Sequence, residues 1–320
     1  MLSALRDGFR SLAGNWGLVA LVLLANLAFA LVLAAPLASE LEDSLGGLGA
    51  SSGMMYGFDH DWWAEWSDGR GGPSSALSPD LLGAGFALGN LELLLRGALP
   101  AGLFAHGRSG MDATVLGLGA LYLLLQVFLS GGLLGVFRAP RGGWTVRGLA
   151  HGGGFYFGRL LRVSLLALLA AGLLFAANAP FARWVDAVAR EAVSGRTAVG
   201  LVFGRYALLL LGLAGIHMVS SYAKVLVVSE ERLSAGLAVL SSLGFCARNL
   251  RAALGQYAVV STLAVGLVAL FGAVDARLAV VGWKTQLVAL AVFEAFVAGR
   301  VALRLGLLAS QVELVAARRR

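Results

Sequence analysis

The sequence predicts an all-α fold: a polytopic transmembrane helical bundle of six spans, with amphipathic interfacial helices on both sides. Of the 320 residues, 58% are hydrophobic and only 13% are charged, against about 25% charged residues in an average soluble domain. Six apolar runs come close to the roughly 20 residues that a helix needs to cross a hydrocarbon core of about 30 Å. Residues 1–320 are therefore expected to form a single membrane domain.

The six predicted spans follow one another with one long interruption. They cover residues 16–37, 113–137, 161–181, 198–222, 253–274 and 284–309. For the first run, which follows Arg6 and Arg10, a cleaved signal peptide is the alternative. Its apolar stretch is longer than the about 7–15 residues of a signal peptide, which favours an uncleaved transmembrane helix.

Basic residues are divided unequally between the two predicted sides of the membrane. Fourteen of the 25 Lys and Arg residues fall on the side of both chain ends, and eight fall on the other side. Because Lys and Arg are enriched in cytoplasmic loops, both termini are expected in the cytoplasm. An Arg-, Ala-, Gly- and Leu-rich composition is typical of a GC-rich bacterial genome, so the bacterial inner membrane is the expected location. The basic residues form no continuous stripe, which argues against nucleic acid as a partner despite the net charge of +7.

The outer loop 38–112 contains an aromatic and acidic segment, "YGFDHDWWAEWSD" (56–68). As a helix, it places an aromatic face beside a row of carboxylates. Tryptophan is enriched where membrane meets water, so the segment is predicted to lie in the outer interface. The predicted interfacial patch consists of Phe58, Trp62, Trp63 and Trp66.

Two alternatives remain open for this segment: a partner-binding patch and a metal site. The candidate metal ligands would be Asp59, His60, Asp61 and Glu65. No ligand pair of the H-x-x-x-H type is present, so no metal is predicted. Farther along, residues 81–105 are expected to be interfacial or re-entrant. If they crossed the membrane, the count would become seven and the orientation of everything downstream would invert.

Two predicted inner connections resemble each other. Residues 148–162 read "GLAHGGGFYFGRLLR" and residues 236–251 read "GLAVLSSLGFCARNLR". This similarity predicts a duplicated unit, each copy made of a span, an inner helix and a second span. Ser229 is the expected N-cap of the second inner helix. The candidates for contact with lipid phosphate or a partner are Arg159, Arg162, Arg248 and Arg251.

Polar residues inside spans are the other candidates, because a charge at the bilayer centre costs about 2.5–3.5 kcal/mol on insertion scales. Glu294 lies near the middle of the sixth span, and Arg205 could pair with it if the helices are neighbours. Glu294 is interpreted either as a proton- or cation-linked site or as a packing contact. The intramembrane candidates are Glu294, Arg300, Arg205 and His217.

Enzyme motifs are missing from the sequence. It contains no P-loop, no H-E-x-x-H and no G-x-S-x-G, so no catalytic residue and no cofactor is predicted. "SGGLLG" (130–135) predicts close helix contact through small residues. "HGGG" (151–154) is expected to be a flexible inner loop.

Several longer stretches carry a family resemblance: "LSGGLLGVFR", "YFGRLLRVSLL" and "YAKVLVVSEERLSAGLAVL". In these stretches the chain resembles a family of six-helix bacterial inner-membrane proteins without an assigned activity. More distantly, it is similar to the membrane domain attached to some glycerophosphodiester phosphodiesterases. The resemblance implies a topology and a membrane-associated role, and it transfers no catalytic residue.

Three functional hypotheses follow. The first is a non-enzymatic membrane subunit, transport-type or envelope-associated, that binds lipid, a membrane-protein partner or a second copy of itself. The second is a stand-alone secondary transporter with Glu294 as the coupling site. The third is an intramembrane enzyme acting on lipid through His60 and the outer carboxylates.

Overall fold

The computed structural model describes residues 1–46, 60–68, 113–139, 143–192, 194–231, 234–278 and 282–318. Over these ranges the chain is built from helices, and none of the described residues lies in a strand. The helices are α1 (Leu2–Ala13), α2 (Gly17–Gly46), α3 (His60–Asp68), α4 (Ala113–Arg138), α5 (Val146–Glu191), α6 (Gly195–Glu230), α7 (Ala235–Arg248), α8 (Leu250–Asp275) and α9 (Trp283–Ala317).

Five of these helices, α4, α5, α6, α8 and α9, are each long and apolar enough to cross a membrane. A sixth crossing results if α1 and α2, which meet at an angle of 73°, are counted together. The all-α polytopic bundle predicted from the sequence is thus confirmed. Large apolar side chains such as Leu169, Phe203 and Leu211 are exposed along the spans, as expected where lipid is the solvent.

The core lies where the inner end of α6 is enclosed by its neighbours. Tyr222 and the run from Val225 to Val228 are at most 1% exposed. α6 packs there against α5, α7, α9 and α4. The amphipathic helix α1 lies across α9, where Gly8 meets the backbone of Ser310 so closely that a β-carbon would overlap it.

Glycines bring α4 and α5 into close contact. A β-carbon at Gly132 would overlap the carbonyl oxygen of Leu149, and one at Gly131 would come within 3.1 Å of the carbonyl oxygen of Gly152. The prediction that "SGGLLG" supports close helix packing agrees with this geometry. The expectation that "HGGG" forms a flexible loop is wrong, because residues 151–154 lie inside α5 and Gly152 and Gly153 are buried against α4.

Two further local predictions differ from the structure. Ser229 belongs to the last turn of α6, and the N-cap of the inner helix α7 is Ser234, whose hydroxyl accepts a hydrogen bond from the backbone N–H of Leu237. The two similar inner sequences also adopt different local structures. Residues 148–162 are continuous with the following span in α5, whereas α7 and α8 are separate helices that meet at Asn249.

Candidate functional site

A cavity of about 100 Å³ lies between four helices in the inner part of the bundle. Its walls come from α2, α4, α6 and α9. The polar lining residues are Gln126, Ser130, His217, Ser220, Ser221, Lys224 and Arg304. The apolar lining residues are Val22, Leu129, Leu133, Val301, Leu305, Leu307 and Leu308.

Helical spacing accounts for the polar stripe of α6. Ser220, Ser221 and Lys224 follow His217 by three, four and seven residues, so all four lie on one face of the helix. Seven residues separate His217 from Lys224, a rise of about 10 Å along the helix axis. The stripe therefore runs from the C-terminal part of α6 towards the middle of the helix.

The cavity carries positive charge without a matching carboxylate. None of the described residues that line it is acidic. Within the described ranges, neither Lys224 nor Arg304 forms an ion pair, and their charges repel each other across the site. Cations in such surroundings are favourable only with a counter-charge or with water.

A chain of hydrogen bonds fixes the wall next to the cavity. Ser221 donates its hydroxyl to Gln311 Oε1 over 2.6 Å, and Gln311 Nε2 donates to the hydroxyl oxygen of Tyr257 over 3.1 Å. The hydroxyl oxygen of Tyr257 lies 3.2 Å from Nδ1 of His217. Since that oxygen already accepts from Gln311, its own proton is available for Nδ1. In the neutral tautomer that accepts this proton at Nδ1, His217 carries its own proton on Nε2.

The uncharged donors around the cavity are already engaged. Ser130 donates to the carbonyl oxygen of Gln126 over 2.6 Å, and Ser220 donates to that of His217 over 3.0 Å. Gln126 Nε2 donates to Asn26 Oδ1 over 2.9 Å. The groups left to meet a ligand are chiefly the ammonium of Lys224, the guanidinium of Arg304 and the imidazole of His217.

The structure separates the intramembrane candidates from one another. Glu294 is half-buried on α9 and does not line the cavity, since ten residues, or about 15 Å of helix, separate it from Arg304. It forms no hydrogen bond or ion pair with a described residue. Arg300 is exposed on the same helix, with its guanidinium 5.6 Å from the centre of the Phe296 ring.

Arg205 pairs with Asp186 instead of Glu294. Its Nη1 lies 3.1 Å from Asp186 Oδ1, and its guanidinium lies 4.4 Å from the centre of the Tyr206 ring. Asp186 belongs to the part of α5 that follows the third predicted span, so the sequence assigned it to a loop. Arg205 therefore does not form the pair with Glu294 that the sequence analysis considered.

The four arginines predicted to contact lipid phosphate or a partner differ in their contacts and exposure. Arg159 reaches the carbonyl oxygen of Glu231 over 3.5 Å and lies 5.1 Å from the centre of the Phe155 ring. Arg162, Arg248 and Arg251 are exposed. They remain available as candidates for lipid phosphate.

Arg138 was not among the candidate residues of the sequence analysis, and it forms a larger set of contacts. Its Nη1 donates to the carbonyl oxygen of Val228, to Glu231 Oε1 and to the hydroxyl of Tyr156 over 2.8, 2.9 and 3.2 Å. This one side chain connects the inner ends of α4, α5 and α6.

The outer aromatic segment is helical from His60, as predicted. The indole N–H of Trp62 donates to Ser44 Oγ over 3.1 Å, and its ring stacks on Trp66 with centroids 5.1 Å apart. Asp61 and Glu65 are exposed.

The rest of that region falls outside the description. Phe58, Asp59, the side chains of His60 and Trp63, and residues 81–105 lie outside the described part of the chain. In the part that is described, no group of three or more His, Cys, Asp and Glu residues could hold a metal ion.

The sequence analysis did not predict the cavity, because Lys224 lies just beyond the fourth predicted span and Arg304 lies near the end of the sixth. The spacing of His217, Ser220, Ser221 and Lys224 was the pattern in the sequence that could have indicated the cavity.

The fold and its apolar spans define the class of this chain as a polytopic α-helical membrane protein. No known protein family, curated protein or solved structure matches it.

Proposed function

We propose that this chain is a non-enzymatic, transport-type protein of the bacterial inner membrane, with both termini in the cytoplasm, that holds an anionic ligand in the cavity between α2, α4, α6 and α9. The observation that carries the proposal is the presence of Lys224 and Arg304 in one cavity without a carboxylate partner among the described residues. The distribution of Lys and Arg supports the orientation.

A charge within a membrane span is unfavourable, most strongly at the bilayer centre and less so near the ends of the predicted spans, where Lys224 and Arg304 lie. Two cations facing one small cavity repel each other, and an anion between them adds two attractions that outweigh this repulsion. An empty site would be the less favourable state, so the arrangement favours a ligand of negative charge.

Native mass spectrometry of protein purified gently from its own membrane tests the proposal. We expect an anionic species bound to the wild-type chain that is lost or strongly reduced in Lys224→Gln and Arg304→Gln. Arg300→Gln is the matched control, because Arg300 lies one turn away on the same helix and outside the cavity. An identical set of bound species in all four proteins would refute the proposal. A stoichiometric protein partner found in all four would favour the accessory-subunit hypothesis.

A further inference from the structure

We infer that the group held in this cavity is a phosphate, either free or as part of a phospholipid headgroup; the inference rests on the proposed function and specifies its ligand. Three properties of the cavity lead to it: the arrangement of its charged donors, the protonation of its histidine, and its size.

The charged donors approach from two different helices. Lys224 on α6 offers three N–H groups from a point charge, and Arg304 on α9 offers a planar fork. A carboxylate presents two oxygens in one plane, whereas a phosphate presents up to four in a tetrahedral arrangement. Donors on separate walls of the same cavity match the tetrahedral distribution better. The two positive charges also match the one to two negative charges of a phosphate group.

The histidine adds a neutral donor. In the tautomer in which Tyr257 donates to Nδ1 of His217, the nitrogen left for a ligand is Nε2 with its proton. A donor suits an acceptor-only phosphate oxygen, whereas a metal cation would need an unprotonated nitrogen. Gln311, which orients Tyr257, is fully buried and also accepts from Ser221, so the hydrogen-bonded chain holds this arrangement in place.

The size limits the ligand to a small group. A cavity of about 100 Å³ accommodates one phosphate-sized group, and larger organic anions would have to extend out of it. Aliphatic side chains of α2, α4 and α9 make up the remaining walls. A lipid could place its headgroup phosphate between the cations and its glycerol and acyl parts along these apolar walls, while free phosphate would occupy the polar part alone.

Delipidated protein in a non-ionic detergent is the material for the test. The soluble probes are inorganic phosphate, acetate and chloride at equal ionic strength. The lipid probes are short-chain phosphatidylglycerol and diacylglycerol of the same chain length, which lacks the phosphate. The measurements are the thermal unfolding temperature and, for the lipids, binding by native mass spectrometry. We expect stabilisation by a phosphate-bearing probe, and none by acetate, chloride or diacylglycerol.

The outcomes separate the two sources of phosphate. Stabilisation by phosphatidylglycerol alone indicates a lipid headgroup, and stabilisation by inorganic phosphate alone, or by both, indicates that the free anion suffices. Equal stabilisation by acetate would overturn the phosphate inference and leave the anion-binding function intact. Failure of every probe to bind would overturn both.

Substitutions of the cavity residues test whether the phosphate probe binds in this cavity. We expect Lys224→Gln and Arg304→Gln each to weaken binding of the phosphate probe by about tenfold or more, as the loss of a hydrogen bond to a charged group predicts. Arg300→Gln should bind as the wild type does. His217→Gln, whose amide N–H can replace that of Nε2, should bind better than His217→Leu. Binding unchanged in both Lys224→Gln and Arg304→Gln, with the fold verified by circular dichroism, would overturn the assignment.

Discussion

The hydroxyl of Tyr222 donates to Oε1 of Gln256 over 2.7 Å, and both side chains are completely buried where α6 meets α8. Gln256 also donates its Nε2 to the carbonyl oxygen of Ser310 in α9 over 3.0 Å. One amide thereby connects three helices next to the cavity wall. In an apolar interior, each of these polar groups would be costly without its partner.

Gln256→Leu should therefore destabilise the bundle. It leaves the hydroxyl of Tyr222 buried without its acceptor, and such a loss typically costs about 1–3 kcal/mol. The measurement is the free energy of unfolding in mixed detergent micelles. Adding Tyr222→Phe to Gln256→Leu removes the orphaned hydroxyl and should recover part of the loss. A double variant no more stable than Gln256→Leu would contradict this account.

Gly132→Ala tests the contact between α4 and α5. The added β-carbon would overlap the carbonyl oxygen of Leu149, and overpacking of this kind costs about 1–3 kcal/mol. Gly119→Ala is the control on the same helix, because a β-carbon there would meet no described residue within 4 Å beyond the adjacent backbone of its own helix. The control should be neutral, or slightly stabilising through helix propensity. Equal unfolding temperatures for the two variants would show that the close contact does not hold the helices together.

Glu231 combines an ion pair with an unfavourable backbone conformation. Its φ of 53° lies in the left-handed region, which costs a side-chain-bearing residue about 1–2 kcal/mol. Its pair with Arg138 is largely exposed, and such pairs contribute only about 0–1 kcal/mol. Both Glu231→Gly and Glu231→Ala lose the pair, but only glycine relieves the backbone. We expect the glycine variant to unfold at the higher temperature, and the reverse order would contradict the assignment of strain.

Cysteine labelling tests the orientation. Cys246 is buried at 3% exposure, and burial raises the pKa of its thiol, so it should react poorly with maleimide and can be replaced by alanine. In that background, Glu65→Cys on α3 and Arg248→Cys on α7 place exposed thiols on opposite predicted sides. A membrane-impermeant maleimide added to intact spheroplasts should label position 65 alone. Labelling of position 248 alone would invert the topology.

The helices agree with the sequence prediction where the signal is local. Each predicted span lies within a helix of the structure, apart from Trp16, which precedes the start of α2 at Gly17. In lipid, a membrane-spanning segment must form its backbone hydrogen bonds within itself, so it is helical. A long apolar run of consecutive residues therefore predicts a helix without knowledge of its neighbours. The small-residue run at 130–135 was equally readable, since close packing requires side chains of that size.

Predictions that depended on a partner element were less accurate. "HGGG" was expected to form a loop, but packing against Gly131 and Gly132 keeps it helical despite the low helix propensity of glycine. Arg205 was expected to pair with Glu294 only if their helices were neighbours, whereas the continuation of α5 brings Asp186 to Arg205. The residues next to HGGG and Arg205 in the sequence do not indicate either of these tertiary contacts.

The sequence by itself determined that this is an all-helical membrane protein, which stretches of the chain form its long apolar helices, and that residues 130–135 pack closely through small side chains. Tertiary structure alone decided which polar residues share a site. It placed Lys224 of α6 and Arg304 of α9 around one cavity, and it connected His217 to Gln311 through Tyr257. The physical reason is that hydrophobic length is a property of consecutive residues, whereas a binding site depends on how helices distant in sequence are rotated and packed against one another.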